Sequence, residues 1–365
     1  MSLNNIGNIG NIGNIGNIGN IGNIGNIGNI GNIGNIGNIG NIGLEAVPGA
    51  ASGAMMLARD GVVGARQPAA HTPTHLPMNS PENLFRWDPG SRQSAVFVDT
   101  MSGLDVAFDA AAETASVTVA GAKLFHTDRP SEAGFTAQVD DIKAAADLRG
   151  DRAPEILAQT TDILSFLAMP LSLNLARHKW TIELLQAVML PVVAVEKALK
   201  NGLACRRPQE YDAQIQPMIT APAHSAFPSG HATEAFAIAE VLSLVSGASG
   251  DRAAYGEQMT LQAARIAHNR VVAGVHFHVD NICGAALGRS LARMLLHRAG
   301  ALGGHHCIGV KAQTAALAGA KLSLDDLDAA FSGGTADHYD ASEVASVAPA
   351  PLLAALFAAA QDEWT

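Results

Sequence analysis

Apolar positions recur at helical spacing over six stretches of the chain: Asp140 to Leu148, Pro154 to Ala168, Leu173 to Asn201, His231 to Val245, Ala253 to Val272 and His276 to His297. Apolar residues at i, i+3, i+4 and i+7 give a helix one buried stripe, and that stripe needs another element to cover it. Pro154 stands at an early helical position, where its missing N–H leaves no bond unmade. Alternation of period two is confined to Ser94-Ala-Val-Phe-Val-Asp99 and Ala115-Ser-Val-Thr-Val-Ala120, which read as short strands of a hairpin-like decoration. After Gly304 the chain is Ala-rich, with a helix expected over Leu322 to Phe331, a break at Ser332-Gly-Gly-Thr335 and a terminal helix over Pro349 to Gln361. The pattern predicts an all-α bundle of about eight to ten helices with minor short strands.

The amino-terminal part follows no such pattern. Asn5 to Gly43 is an unbroken Asn-Ile-Gly repeat. Gly at every third position invites comparison with collagen, but no Pro presets the polyproline geometry. As a stacked solenoid the repeat makes only about two coils, fewer than the roughly three that such arrays need. Disorder is the expectation for it. The reading is therefore a repeat at 1–43, a linker rich in Ala, Gly, Pro and Met at 44–81, a helical catalytic domain at 82–304 and an Ala-rich extension with short helices at 305–365.

Charge and composition narrow the function. Lys plus Arg is 23 against 33 Asp plus Glu, a formal charge of −10. That disfavours nucleic acid and anionic membrane surfaces as partners unless the basic residues are gathered in one place. No apolar run reaches the roughly 18 to 20 residues of a membrane span; Leu184 to Val195 comes closest, and it contains Pro191 and runs into Glu196 and Lys197. A soluble protein without a membrane span is expected. Cys205, Cys283 and Cys307 form neither a disulfide framework nor a CxxC pair. No basic segment, apolar core and small-residue cleavage site follow one another at the amino terminus, so no Sec signal is read. The compartment, cytoplasmic or periplasmic or secreted, stays open, as does a homo-oligomer.

Chemistry is concentrated in three ordered segments: Lys200-Asn-Gly-Leu-Ala-Cys-Arg-Arg207-Pro208, then Phe227-Pro-Ser229-Gly230-His231, then Arg270-Val-Val-Ala-Gly-Val-His276-Phe-His-Val-Asp280. Lys200 and Arg207 lie about two helical turns apart, so both can face one way. Ser229 follows a proline and opens a helical stretch, the place of an N-cap, and Gly230 lets the backbone come close to an anion at the free first-turn amides. His276 and Asp280 at i and i+4 let the carboxylate fix the imidazole tautomer. Three cations, a hydroxyl, an open amide and two imidazoles suit a tetrahedral oxyanion. The remaining histidines read blandly: His278 points away from His276 and His268 lies on a helix surface. His305-His306-Cys307 has soft-metal ligand types, but adjacent residues do not converge on one ion.

Together these segments resemble the signature shared by type 2 phosphatidic acid phosphatases, class A bacterial acid phosphatases and vanadium-dependent haloperoxidases. The resemblance is anchored between Lys200 and Asp280, and the helical scaffold it implies runs from about Trp87 to Leu302. One departure is Asn269, where many members have Ser, which puts a secondary contact in question. The resemblance implies that Lys200, Arg207, Ser229, Gly230 and Arg270 bind vanadate or phosphate oxygens. It implies that His276 is the sole protein ligand to vanadium in a haloperoxidase, or the phosphorylated nucleophile in a phosphatase, with His231 as the acid–base group and Asp280 orienting His276. His224, seven positions before His231, resembles the histidine that bromoperoxidases carry at that offset. The leading expectation is thus a vanadate-dependent haloperoxidase using hydrogen peroxide with bromide or iodide. The alternative is an acid phosphatase acting on a small phosphate ester, and the third reading is a scaffold protein with a vestigial site.

Overall fold

The computed structural model describes residues 57–61, 72–247, 253–334, 336–343 and 347–364; the Asn-Ile-Gly repeat and most of the expected linker lie outside them. Contacts divide the chain into two units, residues 1–94 and 95–365. In the first, a 3₁₀ turn covers Pro81–Arg86, with proline at its start.

Helix α1 (Pro89–Met101) is followed by a meander of β1 (Leu104–Asp109), β2 (Thr114–Val119) and β3 (Ala122–Asp128). Ser94 to Asp99, expected as a strand, belongs to α1 instead. In a strand Val96 and Val98 would share a face; here Val96 is fully buried and Val98 is 71% exposed, while Val96 and Thr100, one helical turn apart, are buried together. The second expected strand is β2, where Ala115, Val117 and Val119 alternate inward. Its partners β1 and β3 carry weaker alternation and were not anticipated.

Helices then fill a long excursion: α2 (Glu132–Ala137), α3 (Val139–Ala145), α4 (Arg149–Ala158), α5 (Leu164–Ala168), α6 (Lys179–Leu203), α7 (Gly230–Val245), α8 (Ala253–Val272) and α9 (His278–Arg298). The chain returns as β4 (His306–Val310), which pairs in parallel with β3, and continues through α10 (Ala312–Leu317), α11 (Leu324–Phe331), β5 (Tyr339–Glu343) and α12 (Pro351–Gln361). The sheet order is β1-β2-β3-β4-β5, antiparallel except at β3–β4. The fold is mostly helical with a few short strands. Among the described residues no helix is long and apolar enough to cross a membrane.

Two helix expectations shift in ways that matter below. The stretch Pro154 to Ala168 is broken: Pro154 lies inside α4, and the chain leaves helix from Gln159 to Ile163 before α5. Likewise α9 begins at His278, so His276 precedes the helix and Phe277 is its N-cap. The N-terminal halves of α7 and α9 pack unusually closely. A Cβ on Gly284 would lie 2.5 Å from the Ser229 carbonyl oxygen, and one on Gly288 would lie 2.0 Å from that of Thr233. These two glycines, one turn apart on α9, let its backbone rest on the first turn of α7. A hydrogen bond from Ser229 N to Asp280 O, 2.9 Å, ties the two helix starts together.

Candidate active site

The three sequence segments meet where α6 ends and α7 and α9 begin. Helix α6 stops at Leu203, with Ala204 in the left-handed region at φ 49°, and the chain turns so that Arg207 comes back toward Lys200. Both side chains reach the Ser225 carbonyl, at 3.3 and 3.0 Å respectively. Lys200 Nζ also donates to Ala226 O at 3.0 Å and to Pro228 O, and it pairs with Glu196 one turn back on α6 at 3.4 Å. Lysine has three N–H donors, so these carbonyls engage all of them. Burial pulls the Lys200 ammonium down to about 8, against the pull of Glu196.

Arg207 is equally committed. Its Nε and Nη2 both donate to His224 O at 3.1 Å, and its Nη1 donates to Val275 O at 2.7 Å. Nη1 also lies 3.1 Å from His276 Nε2. Because guanidinium only donates, that nitrogen of His276 carries the lone pair and Nδ1 carries the proton. Nδ1 in turn faces Asp280 Oδ2 at 2.9 Å. The same carboxylate oxygen accepts from Phe277 N at 2.9 Å, capping α9. Asp280, at the third position of α9, therefore reaches back to cap the helix and to hold His276, which stands just outside the helix start, rather than meeting it as a neighbour within one helical turn. Burial raises the Asp280 carboxyl to about 7, opposed by the Phe277 amide, Lys200 and Arg207. Burial also drives His276 well below the usual histidine range, followed in effect by Arg207 and Lys200.

On the other side stands Arg270, 1% exposed. Its Nη2 donates to Gln159 Oε1 at 2.9 Å and to Ile156 O at 3.3 Å. Its Nε and Nη1, both buried, have no hydrogen-bond partner among the described residues. A desolvated guanidinium with two open donors is a strong site for anionic oxygens. Ser229 caps α7, its Oγ accepting weakly from Ala232 N at 3.5 Å while its carbonyl accepts from Thr233 N at 3.0 Å. The amides of Gly230 and His231 lie in the same first turn, where an α-helix supplies no internal acceptor. His231, partly buried, bonds Gln159 O through Nε2 at 2.9 Å, which makes Nε2 the protonated nitrogen and leaves Nδ1 with the lone pair. Burial and then Arg270 lower it to about 3.

His224 is exposed, with Nδ1 3.2 Å from Arg207 Nη2. It lines an open pocket of about 400 Å³ together with Arg206, Arg207, Gln209 and Glu210. Burial lowers His224 to about 4. Of the two histidines read as bland, His268, expected on a helix surface, is partly buried, and His278, expected at a surface or interface, is buried. His278 is only 5% exposed, and its ring stacks on that of His268 at 6.0 Å between centroids. Among the described residues no group of three or more His, Cys, Asp or Glu side chains is placed to hold a metal ion.

Sequence reasoning missed two neighbours of the site. Glu196 carries a usable signal, since it precedes Lys200 by four positions in a helix. Gln159 carries none, because it sits where the expected helix breaks.

No curated protein matches the chain. Residues 180–302, from the first turn of α6 to just past α9, match the family model described as PAP2 superfamily, and this stretch contains all three motif segments. The similarity covers about a third of the chain, the part that carries Lys200, Arg207, Ser229, Arg270, His276 and Asp280.

Proposed function

We propose that the protein is a phosphoric monoester hydrolase that works through a phosphohistidine at His276. The observation that carries this reading is the His276 imidazole, held by Asp280 at Nδ1 with its Nε2 lone pair turned toward the cations. Arg270 Nε and Nη1 and the first-turn amides of α7 receive the non-bridging oxygens. Arg207 Nη1 gives up its contact with Nε2 and keeps its carbonyl partners. Nε2 then attacks phosphorus, the P–O bond to the alcohol breaks, and His231 Nδ1 gives a proton to the leaving oxygen. For that step His231 must first take up a proton, and a bound phosphate dianion favours the uptake by offsetting Arg270. The resulting positive imidazole is stabilised through Nδ1–H by the Asp280 carboxylate. His231, now neutral, deprotonates a water that attacks the phosphohistidine, releasing phosphate and restoring Nε2.

A second reading is the vanadium haloperoxidase, favoured by one observation, His224 beside Arg207. The superfamily includes vanadate-binding members, and the same residues fit a vanadate: the open donors of Arg270, the α7 amides and His276 Nε2 as the coordinating atom. Bound there, vanadate would supply a Lewis acid that activates peroxide toward halide.

Two assays on the full chain test these readings: p-nitrophenyl phosphate hydrolysis without vanadate, and bromide-dependent peroxide consumption after vanadate loading. Hydrolysis with acid-labile label trapped on His276 is the expected result. Absence of hydrolysis across about pH 4 to 8, with halide turnover present, would overturn the hydrolase in favour of the haloperoxidase.

A further inference from the structure

Gln159 lies outside all three motifs, yet every polar atom of its side chain is engaged, and its carbonyl reaches the site as well. Its carbonyl oxygen accepts from His231 Nε2 at 2.9 Å. Its Oε1 accepts from Arg270 Nη2 at 2.9 Å and from Asn269 Nδ2 at 3.0 Å. Its Nε2 donates to Glu155 Oε1 at 3.1 Å. The residue is 1% exposed.

The orientation of this amide follows from its neighbours. Arg270 only donates and the Glu155 carboxylate only accepts, so a flipped amide would set donor against donor at one end and acceptor against acceptor at the other. Glu155 is itself fixed by Arg265, whose Nε and Nη2 both reach it at 2.8 Å. Asn269 is held from behind by Arg152, Nη1 to Oδ1 at 2.9 Å. Thus the asparagine that stands where related proteins carry serine has a defined partner here. It supplies the second donor to Gln159 Oε1.

We infer that Gln159 is the positioning residue of this site: one amide aims the open donors of Arg270 at the oxyanion while its own carbonyl fixes which nitrogen of His231 faces the substrate. The side chain accomplishes the first without neutralising Arg270, because an amide is uncharged. A carboxylate in its place would keep an acceptor for Arg270 but set a second acceptor against Glu155 and claim the charge that the oxyanion needs. The inference rests on the oxyanion reading of the site, whichever reaction follows.

The test is a calorimetric titration of inorganic phosphate into the full chain near pH 7, with melting temperatures, for the wild type, Gln159→Met and Gln159→Glu. Gln159→Met removes both hydrogen-bonding ends at similar volume; Gln159→Glu keeps the acceptor for Arg270. Both variants are expected to weaken phosphate by about tenfold or more. In Gln159→Glu the new carboxylate oxygen faces Glu155, so the melting temperature is expected to fall as well; Leu327→Ala, a core truncation in α11, gives the affinity that goes with such a fall, and the phosphate loss in Gln159→Glu is expected to exceed it about tenfold. A residue with only a structural role would let affinity follow stability. Phosphate affinity within about twofold of wild type in Gln159→Glu overturns the inference, and that variant decides the matter if Gln159→Met does not fold. A wild type that binds phosphate but hydrolyses no ester overturns the hydrolase alone, and the affinity ratio still judges Gln159.

Discussion

Arg207 and Arg270 are both buried, 3% and 1% exposed, and both stand within the same cradle. Their surroundings differ in kind. Arg207 is bound by loop carbonyls from His224, Ser225 and Val275 and by the His276 ring, so most of its donors hold the protein in shape. Arg270 has two donors left over. Burial lowers both, and Arg270 reaches about 10, which still leaves it charged at neutral pH. Under the proposed hydrolase the two residues divide the labour: one braces the nucleophile, the other awaits the anion. A sequence motif assigns both the same role, whereas the partners of each guanidinium separate them.

The largest expected effect lies on the bracing side. His276→Ala should cut ester hydrolysis by at least about 1,000-fold, some 4 kcal/mol of transition-state stabilisation, because the covalent step loses its only nucleophile. Retention of more than about a tenth of wild-type kcat/KM, under roughly 1.4 kcal/mol, would remove His276 as nucleophile. The fold should survive, since a polar site residue carries little packing energy.

A paired substitution then tests the division itself. Lysine keeps the charge of arginine but not its fork of donors. Arg270→Lys should weaken inorganic phosphate by about 10- to 100-fold with little change in melting temperature. Arg207→Lys should do the reverse, lowering the melting temperature more and phosphate affinity less, because it loses bonds to carbonyls that otherwise stay buried and unpaired. Phosphate inhibition constants beside melting curves give the answer, and equal effects from both variants would erase the distinction.

How much of this was legible in the sequence depends on how local the signal is. The long helices α7 and α8 lie where periodicity puts them, because a stripe repeated over four or more turns is self-consistent. The sheet was largely hidden. β4 is buried at four of its five positions, so it shows no alternation, and β3 and β4 pair only after the whole helical excursion between them. Lys200, Arg207, Ser229, Arg270, His276 and Asp280 were read as one group from motif spacing, and the structure brings them together where α6 ends and α7 and α9 begin. The Asp280 contact arises from capping geometry that i, i+4 spacing does not distinguish from a helical pair. Gln159 was invisible because its role comes from where a helix breaks: Thr160, Thr161 and Asp162 mark the break by type, Asp162 accepting from Ser165 N at 2.9 Å, but nothing in them ties Gln159 to the site.

Acid titration sharpens the comparison at the level of stability. Burial lowers His231 to about 3 and His278 and His305 to about 4, and it lowers His276 as well. For such depressed groups the stabilisation is present above the unfolded value near 6.5 and is lost as pH falls toward the folded values. Asp280 and Glu234, raised to about 7 by burial, have the opposite sign: their contribution is present at low pH and lost as pH rises through about 7. The lowered histidines outnumber the two raised acids, so the unfolded chain binds more protons near pH 5 and stability should fall as pH drops below about 6. Urea unfolding at successive pH values measures it. Saturating phosphate should flatten the slope by about one proton through His231, an effect that His231→Gln should abolish. A slope unchanged by phosphate would detach His231 from the anion-receiving side.

The smallest expected effect belongs to His224, and it separates the two reactions. Its backbone carbonyl accepts from Nε and Nη2 of Arg207, and the ring adds only the 3.2 Å contact of Nδ1 with Nη2, so truncating the side chain leaves the carbonyl bonds in place. With its proton affinity lowered to about 4, the ring is neutral through the working range of a hydrolase and adds no charge to the pocket. His224→Ala should therefore change kcat/KM for p-nitrophenyl phosphate by no more than about threefold, well under 1 kcal/mol. The haloperoxidase reading demands the opposite, because there the ring faces the bound oxidant and its charge state tunes halide turnover. Under that reading His224→Ala would lower bromide-dependent peroxide consumption much more than it lowers vanadate affinity. A selective loss of halide turnover in the vanadate-loaded variant, beside weak ester hydrolysis in the wild type, would transfer the site to the oxidative chemistry.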